Sequence, residues 1–366
     1  MKLSISREEL QDKLSNIQGI VEKRNTMPIL SHFLLDAEEK STHIVATDLQ
    51  VAIKEPLNAS VHGAGKLCIP ARKLFEIVRE AEGNLNIESE DEQWIKVSYG
   101  KSRFRLACLP SGEFPAWPGM ESTEEIRFRT GDLSEMIDKT LYSAGEADAR
   151  YTLNGLLFHI RQGETNVTVV GTDGHRLAFI KKDLEKPVKE EKKVILPRKA
   201  AAEVKKFFGE EETITALFGK NHVLFKVGDV QFLARLIEGT YPDYEKVIPP
   251  SNEKRITVGR ENFLRALRRV SVISKERSNA IRMDVSDGAL AFSSSNPDLG
   301  EARDEVEVEY SGEELSAGFN ARYLIDSLSA MTTERVVFAL QDSISPTLLT
   351  EEGSDDYRCV IMPMRI

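Results

Sequence analysis

The sequence predicts an α+β protein of three tandem copies of one domain, each copy two helices on antiparallel sheets. Three observations lead there. Apolar residues spaced i, i+2 and i+7 mark a strand running straight into a helix. That pattern occurs at Leu3, Ile5, Leu10; Leu67, Ile69, Leu74; Ile126, Phe128, Leu133; Val194, Leu196, Ala201; Ile256, Val258, Phe263; and Ala317, Phe319, Leu324. Second, the steps between first members are 64, 59, 68, 62 and 61 residues, a near-constant period that signals repeated units. Third, longer similarities group the six units in pairs. Ile69-Pro70-Ala71-Arg72-Lys73 resembles Leu196-Pro197-Arg198-Lys199, and Phe319-Asn320-Ala321-Arg322 stands at the third equivalent place.

Each element follows in order. Helices are expected over 7–24, 71–82, 131–142, 197–208, 259–277 and 320–331. Strand-like runs follow at 94–109, 222–236 and 335–349, and two of them lead into an aromatic-proline loop, Phe114-Pro115-Ala116-Trp117 and Tyr241-Pro242-Asp243-Tyr244. Domains of 1–120, 125–249 and 250–366 result, each with roughly eight strands. Their alternation predicts antiparallel sheets covered on one face.

Composition narrows the function. The chain has 366 residues, 41% hydrophobic and 30% charged, as soluble domains do. No run approaches the roughly 18 apolar residues of a membrane span. Met1-Lys2-Leu3-Ser4-Ile5 leads into a charged segment without a signal-type apolar stretch, so a cytoplasmic location and no membrane partner are expected. Cys68, Cys108 and Cys359 are far apart and make neither a metal-ligand spacing nor a disulfide framework. No metal and no cofactor are expected.

The net charge is −10, which by itself argues against nucleic acid. Its distribution argues the other way. The six helical windows total +5, leaving −15 for the rest. Arg198, Lys199, Lys205 and Lys206 concentrate in one helix; Arg260, Arg265, Arg268 and Arg269 do so in another, with Lys275 and Arg277 beyond. These are either ordinary solvated faces or a surface that meets a polyanion. With few aromatics between the charges and no zinc-finger spacing, the second reading means phosphate contact without sequence preference. The acidic total also suits a scaffold that binds peptides and no nucleic acid.

Asp173 and His175 could be read as a base and its orienting carboxylate, but no nucleophile motif or phosphate-cradling loop accompanies them. No catalytic residue is expected.

Pro28-Ile29-Leu30, Ala46-Thr47-Asp48-Leu49 and Tyr151-Thr152-Leu153-Asn154-Gly155 then carry a specific likeness. So do Thr172-Asp173-Gly174-His175-Arg176-Leu177-Ala178, Pro242-Asp243-Tyr244, Ser295-Asn296-Pro297 and Val360-Ile361-Met362-Pro363-Met364-Arg365-Ile366. In order and spacing the chain resembles, over its whole length, the β subunits of bacterial DNA polymerase III, the sliding clamps. The resemblance implies three DNA-clamp domains and a head-to-tail homodimer forming a ring around duplex DNA. It implies a non-catalytic processivity factor, opened by a clamp loader, that holds the polymerase III alpha subunit, other polymerases and repair proteins by short linear motifs.

It also implies site residues. The peptide pocket would be Leu153, Thr172, Gly174, His175, Arg176, Leu177, Pro242, Lys246 and Val247, with Asn320, Tyr323, Ile344, Val360, Met362, Pro363, Met364 and Arg365. Its Leu, Val, Pro and Met give an adaptable apolar groove, and Arg176 and Arg365 could hold peptide carbonyls or carboxylates. DNA would meet Arg24, Lys73 and Tyr151, to which the charge count adds Arg198, Lys199, Arg265 and Arg269. The subunit joint would set Lys101, Arg103, Phe104 and Leu106 against Val272, Ile273, Asp298, Glu301 and Asp304. The chain departs from the family pattern at Lys246, Ser278, Thr152 and Ala147.

Overall fold

A computed structural model describes residues 1–21, 27–39, 41–120, 124–250, 252–274 and 278–365. Among them every recurring apolar triplet is a strand that passes into a helix with no loop between. The helices are α1 (Arg7–Ile17), α2 (Ala71–Arg79), α3 (Thr130–Leu141), α4 (Arg198–Val204), α5 (Arg260–Ser271) and α6 (Ala321–Ala330). The strands before them end at Ser6, Pro70, Arg129, Pro197, Gly259 and Asn320. Ser6 accepts from Glu9 N and Asn320 from Arg322 N, side-chain caps that start α1 and α6.

Five helices are shorter than their windows, α1, α4 and α5 by the most. α1 stops at Ile17 because Gly19 follows, and its missing Cβ leaves the space that the Glu203 carboxylate fills. α4 tightens into a 3-10 turn over Lys205–Phe207, where Lys206 Nζ reaches back to Glu203 at 2.7 Å. α5 ends at Ser271, whose hydroxyl bonds Arg268 O at 3.0 Å, before β-branched Val272 and Ile273.

The first residue of one helix in each pair does a job the sequence reading missed. Arg7 donates to Arg79 O at the end of α2, and Arg260 to Leu328 O and Thr333 O at the end of α6. Arg198 donates to Leu141 O and Ala144 O at the end of α3. A guanidinium there satisfies orphan carbonyls and faces the negative end of the helix dipole.

The chain forms two compact units, 1–131 with 199–236 and 132–198 with 237–366. The first holds a five-stranded and an eight-stranded sheet, the second a twelve-stranded one. All strand pairs are antiparallel. The middle repeat is divided because its strands continue neighbouring sheets. Val230–Arg235 pairs with Val51–Pro56, Ala52 opposite Leu233. Arg176–Asp183 pairs with Tyr357–Ile361, Leu177 opposite Val360. Backbone ladders thus cross both repeat boundaries and leave fewer edges unpaired.

In the second unit the core includes Phe263 stacked on Phe292 at 5.4 Å and edge-on to Phe338 at 6.0 Å. The three cysteines are buried and free. Burial pushes the Cys68 and Cys108 thiols up to about 12, so both stay protonated and inert.

Candidate peptide groove and DNA-facing residues

The groove residues all lie in the second unit, around the turn Thr172–Arg176. Asp173 Oδ1 accepts from His175 N and Arg176 N, Thr172 Oγ1 bonds Arg176 O, and Gly174 takes φ +83. Glycine suits that left-handed position, where a Cβ would also meet the Arg150 guanidinium at 2.6 Å. Behind the turn, Leu177 and Val360 pack with Leu157, Val170, Tyr241 and Tyr244 as a buried floor. Leu153 is buried too, as the last residue of the Tyr151–Leu153 3-10 turn.

The walls are more exposed. Met362 N bonds His175 O at 2.9 Å and Met364 N bonds Gly318 O at 2.9 Å, which ties residues 362–364 down by backbone and leaves Met362 half-exposed. Pro363 and Met364 are partly exposed, and Arg365 is exposed. Pro242, Lys246 and Val247 are exposed around a second 3-10 turn, and Lys246 pairs with Asp243 at 3.0 Å. Ile344 is exposed after the Asp342 turn. Asn320 is committed to capping α6, and Tyr323 stacks on His175 with centroids 6.5 Å apart.

Arg176 has a structural task that the sequence did not show. Its guanidinium pairs with Asp326 at 2.7 Å and Asp173 at 3.1 Å, donates to Tyr142 O at 2.7 Å and lies 4.5 Å over the Tyr323 ring. With three of its five N–H donors engaged, it fastens the turn to α6. The alternative catalytic pair also dissolves: Asp173 serves the turn and Arg176, while the His175 ring faces Tyr323.

A buried network the sequence did not reveal braces the same unit. Lys139 of α3 pairs with Glu351 at 2.9 Å and Glu135 at 3.0 Å, and Glu351 also accepts from Thr332 N at 2.6 Å. Beside it the buried Tyr142 hydroxyl meets Ser327 at 3.1 Å and Tyr357 at 3.0 Å. Apart from the i, i+4 pair Glu135–Lys139, these partners lie far apart along the chain, so no local period announces them.

The DNA candidates divide. Lys73 is exposed, paired with Glu76 at 2.6 Å, and Tyr151 is exposed. Arg265 is 67% exposed with its nearest carboxylate, Glu261, at 3.9 Å. Arg198 caps α3, Lys199 is paired with buried Asp48, and Arg269 is paired with Asp304. These three spend charge on partners within the chain, Arg269 in a solvent-exposed pair, so their share in any outward field is smaller than counting suggested. Arg24, Lys275 and Arg277 lie outside the described residues. Of the family departures, Ala147 adopts φ +69.

At the proposed joint, Ser102–Ala107 is the terminal strand of the five-stranded sheet, with Phe104 stacked on Tyr99 at 5.9 Å. Gly300–Glu309 meets the strand Lys254–Gly259 only through Val308 and Glu309, so on that side no described strand pairs with 300–307. Val272 is 75% exposed and Ile273 partly so. Leu299, 65% exposed next to Asp298 and Glu301, is a residue sequence reasoning passed over; an exposed leucine leaves no periodic mark.

Comparison with known proteins places this geometry. Family profiles for the DNA polymerase III beta subunit match at residues 1–118 (N-terminal domain), 128–243 (central domain) and 245–365 (C-terminal domain). The chain belongs to the DNA polymerase III beta subunit family, the beta sliding clamps. It is 36% identical to the beta sliding clamp of Caulobacter vibrioides over 372 residues, covering all of both chains. The solved DNA polymerase III beta subunit of Pseudomonas aeruginosa superposes with a TM-score of 0.95 at 34% identity, again over all of both chains. A Bartonella birtlesii sliding clamp solved bound to griselimycin gives 0.96 at 32%, with full coverage. This clamp chain therefore has three DNA-clamp domains and acts as a polymerase processivity factor.

Proposed function

We propose that two copies of this chain, each of domains 1–120, 125–249 and 250–366, close head to tail around duplex DNA. The groove then tethers the polymerase III alpha subunit, the clamp loader and other replication or repair proteins by short peptides. The observation that carries ring closure is a pair of free strand edges of opposite charge. Residues 101–107 carry +3 and residues 300–309 carry −4. A free edge invites pairing with another chain, and a head-to-tail contact must close or grow into a filament. Lys101, Arg103, Phe104 and Leu106 would meet Asp298, Glu301 and Asp304, with Val272, Ile273 and Leu299 as apolar contacts.

Replacing Val272 and Ile273 by alanine is expected to shift dimer toward monomer at micromolar concentration. Each loses buried apolar area worth about 1 kcal/mol or more. Sedimentation equilibrium reads this directly; a wild-type chain that sediments as monomer or trimer would overturn ring closure by two copies.

Contact with DNA is topological, weak and indifferent to sequence. The clamp is expected to stay on closed circular DNA and to leave when the circle is cut. Arg265→Glu is the cleaner probe of the helix surface, because Arg269→Glu would also set a carboxylate against Asp304. The Arg265→Glu, Arg269→Glu pair should lower retention and weaken binding alike for all sequences, with a shallower salt dependence. Strong discrimination between sequences at physiological salt would contradict this reading.

A further inference from the structure

The turn that frames the groove has a near copy in the first unit. Thr47 Oγ1 bonds Val51 O, Leu49 N bonds Thr47 Oγ1, and Asp48 Oδ1 accepts from Gln50 N and Val51 N. The Thr172–Arg176 turn makes the same four bonds. Arg235 N bonds Gln50 O at 2.7 Å, as Met362 N bonds His175 O. Ala52 lies opposite Leu233 as Leu177 lies opposite Val360, and Phe114-Pro115-Ala116-Trp117 stands where Tyr241-Pro242-Asp243-Tyr244 stands.

Between this turn and the Phe114–Pro118 segment lies a cavity of about 70 Å³, lined chiefly by Leu49, Val51, Phe114, Pro115, Trp117 and Leu233. Among the described residues its lining has no Asp, Glu, Lys or Arg. His222 joins it to a polar cavity over Gly119, Met120, Gly219, Lys220 and Asn221, where Lys220 is exposed without a carboxylate partner among the described residues. Leu49 holds φ +73 where the other turn has glycine, yet its side chain is half-exposed at the rim. A leucine in the left-handed region costs about 1 kcal/mol or more, and no burial of that side chain offsets it.

We propose that this cavity is a second peptide-anchoring site, which takes a bulky apolar side chain followed by a carboxylate facing Lys220. The charge pattern selects that occupant: a neutral apolar cup beside a single unpaired cation. The proposal rests on the groove reading only in taking this turn as a frame for peptides.

Trp94→Phe leaves Trp117 as the sole tryptophan of the full chain, inside the cavity. Titrating acetyl-Gly-Phe-Asp-amide into this variant should shift Trp117 emission saturably. Lys220→Glu should weaken the response about fivefold, the worth of one exposed charge pair. Leu49→Gly, which relieves the backbone and so keeps the fold, should also weaken it. In the same sample, anisotropy of a labelled polymerase-tail peptide reads the groove separately, so Trp117 can respond even where the groove reading fails. No Trp117 response to millimolar peptide, or equal responses in the Lys220→Glu variant, would overturn the proposal. Equal binding of acetyl-Gly-Phe-Asn-amide would overturn it as well, leaving a cup for any apolar group.

Discussion

Deleting residues 362–366 is expected to abolish binding of a polymerase-tail peptide while leaving the fold and the dimer intact. The segment is attached by two backbone hydrogen bonds, Met362 N to His175 O and Met364 N to Gly318 O. The ladder before it, Tyr357–Ile361 between Arg176–Asp183 and Thr347–Glu351, keeps its own pairing. Little core is lost, because Met362 is half-exposed and Met364 only partly buried. What goes is a wall of the groove. The floor of Leu177 and Val360 remains, but an anchor side chain would have solvent on one side. Anchors of this kind dominate small interfaces, and loss of one costs about 2 kcal/mol or more, roughly a thirtyfold weakening. Fluorescence anisotropy with a labelled peptide measures it, and sedimentation of the same sample checks the dimer. Unchanged affinity in a truncated dimer would mean the segment is structural only.

Lys139→Met should destabilise the second unit by about 3–5 kcal/mol, because it strands Glu351 without its counter-charge in a buried site. Adding Glu351→Gln should recover much of the loss, since the amide oxygen still accepts from Thr332 and no buried charge is left alone. Thermal melts of wild type, both singles and the double separate these cases. pH supplies an independent check. Burial would raise the Glu351 carboxyl, but the Thr332 N–H and the Lys139 ammonium outweigh it and hold it below the usual range. A depressed folded value means the carboxylate contributes stability above the ordinary glutamate range. That stability fades as pH falls through the folded value. The gap between wild type and Lys139→Met should therefore be full near neutrality and narrow in acid. A gap that is constant from pH 7 to pH 3 would show that packing of the lysine stem, rather than the ion pair, is what matters.

The sequence by itself determined the repeat and the strand-to-helix junctions. Each i, i+2, i+7 triplet encodes a strand period and a helix face within eight residues, so local sterics and burial suffice to read it. The turn chemistry at Thr47-Asp48 and Thr172-Asp173, where a short carboxylate bonds backbone two and three residues on, is equally local, yet it came to light only in the structure. The tertiary structure alone decided which charges are met within the chain. Arg198, Lys199 and Arg269 look alike in a helical count, yet one caps α3, one meets Asp48 and one meets Asp304. Arg176 turned inward, to Asp326. These partners are 35 to 151 residues away in the chain. No periodic signal links residues so distant; only the folded ladders bring them within a hydrogen bond. The same reason hid the split of the middle repeat. A strand's alternation says which face it buries, but not whose edge it will pair with.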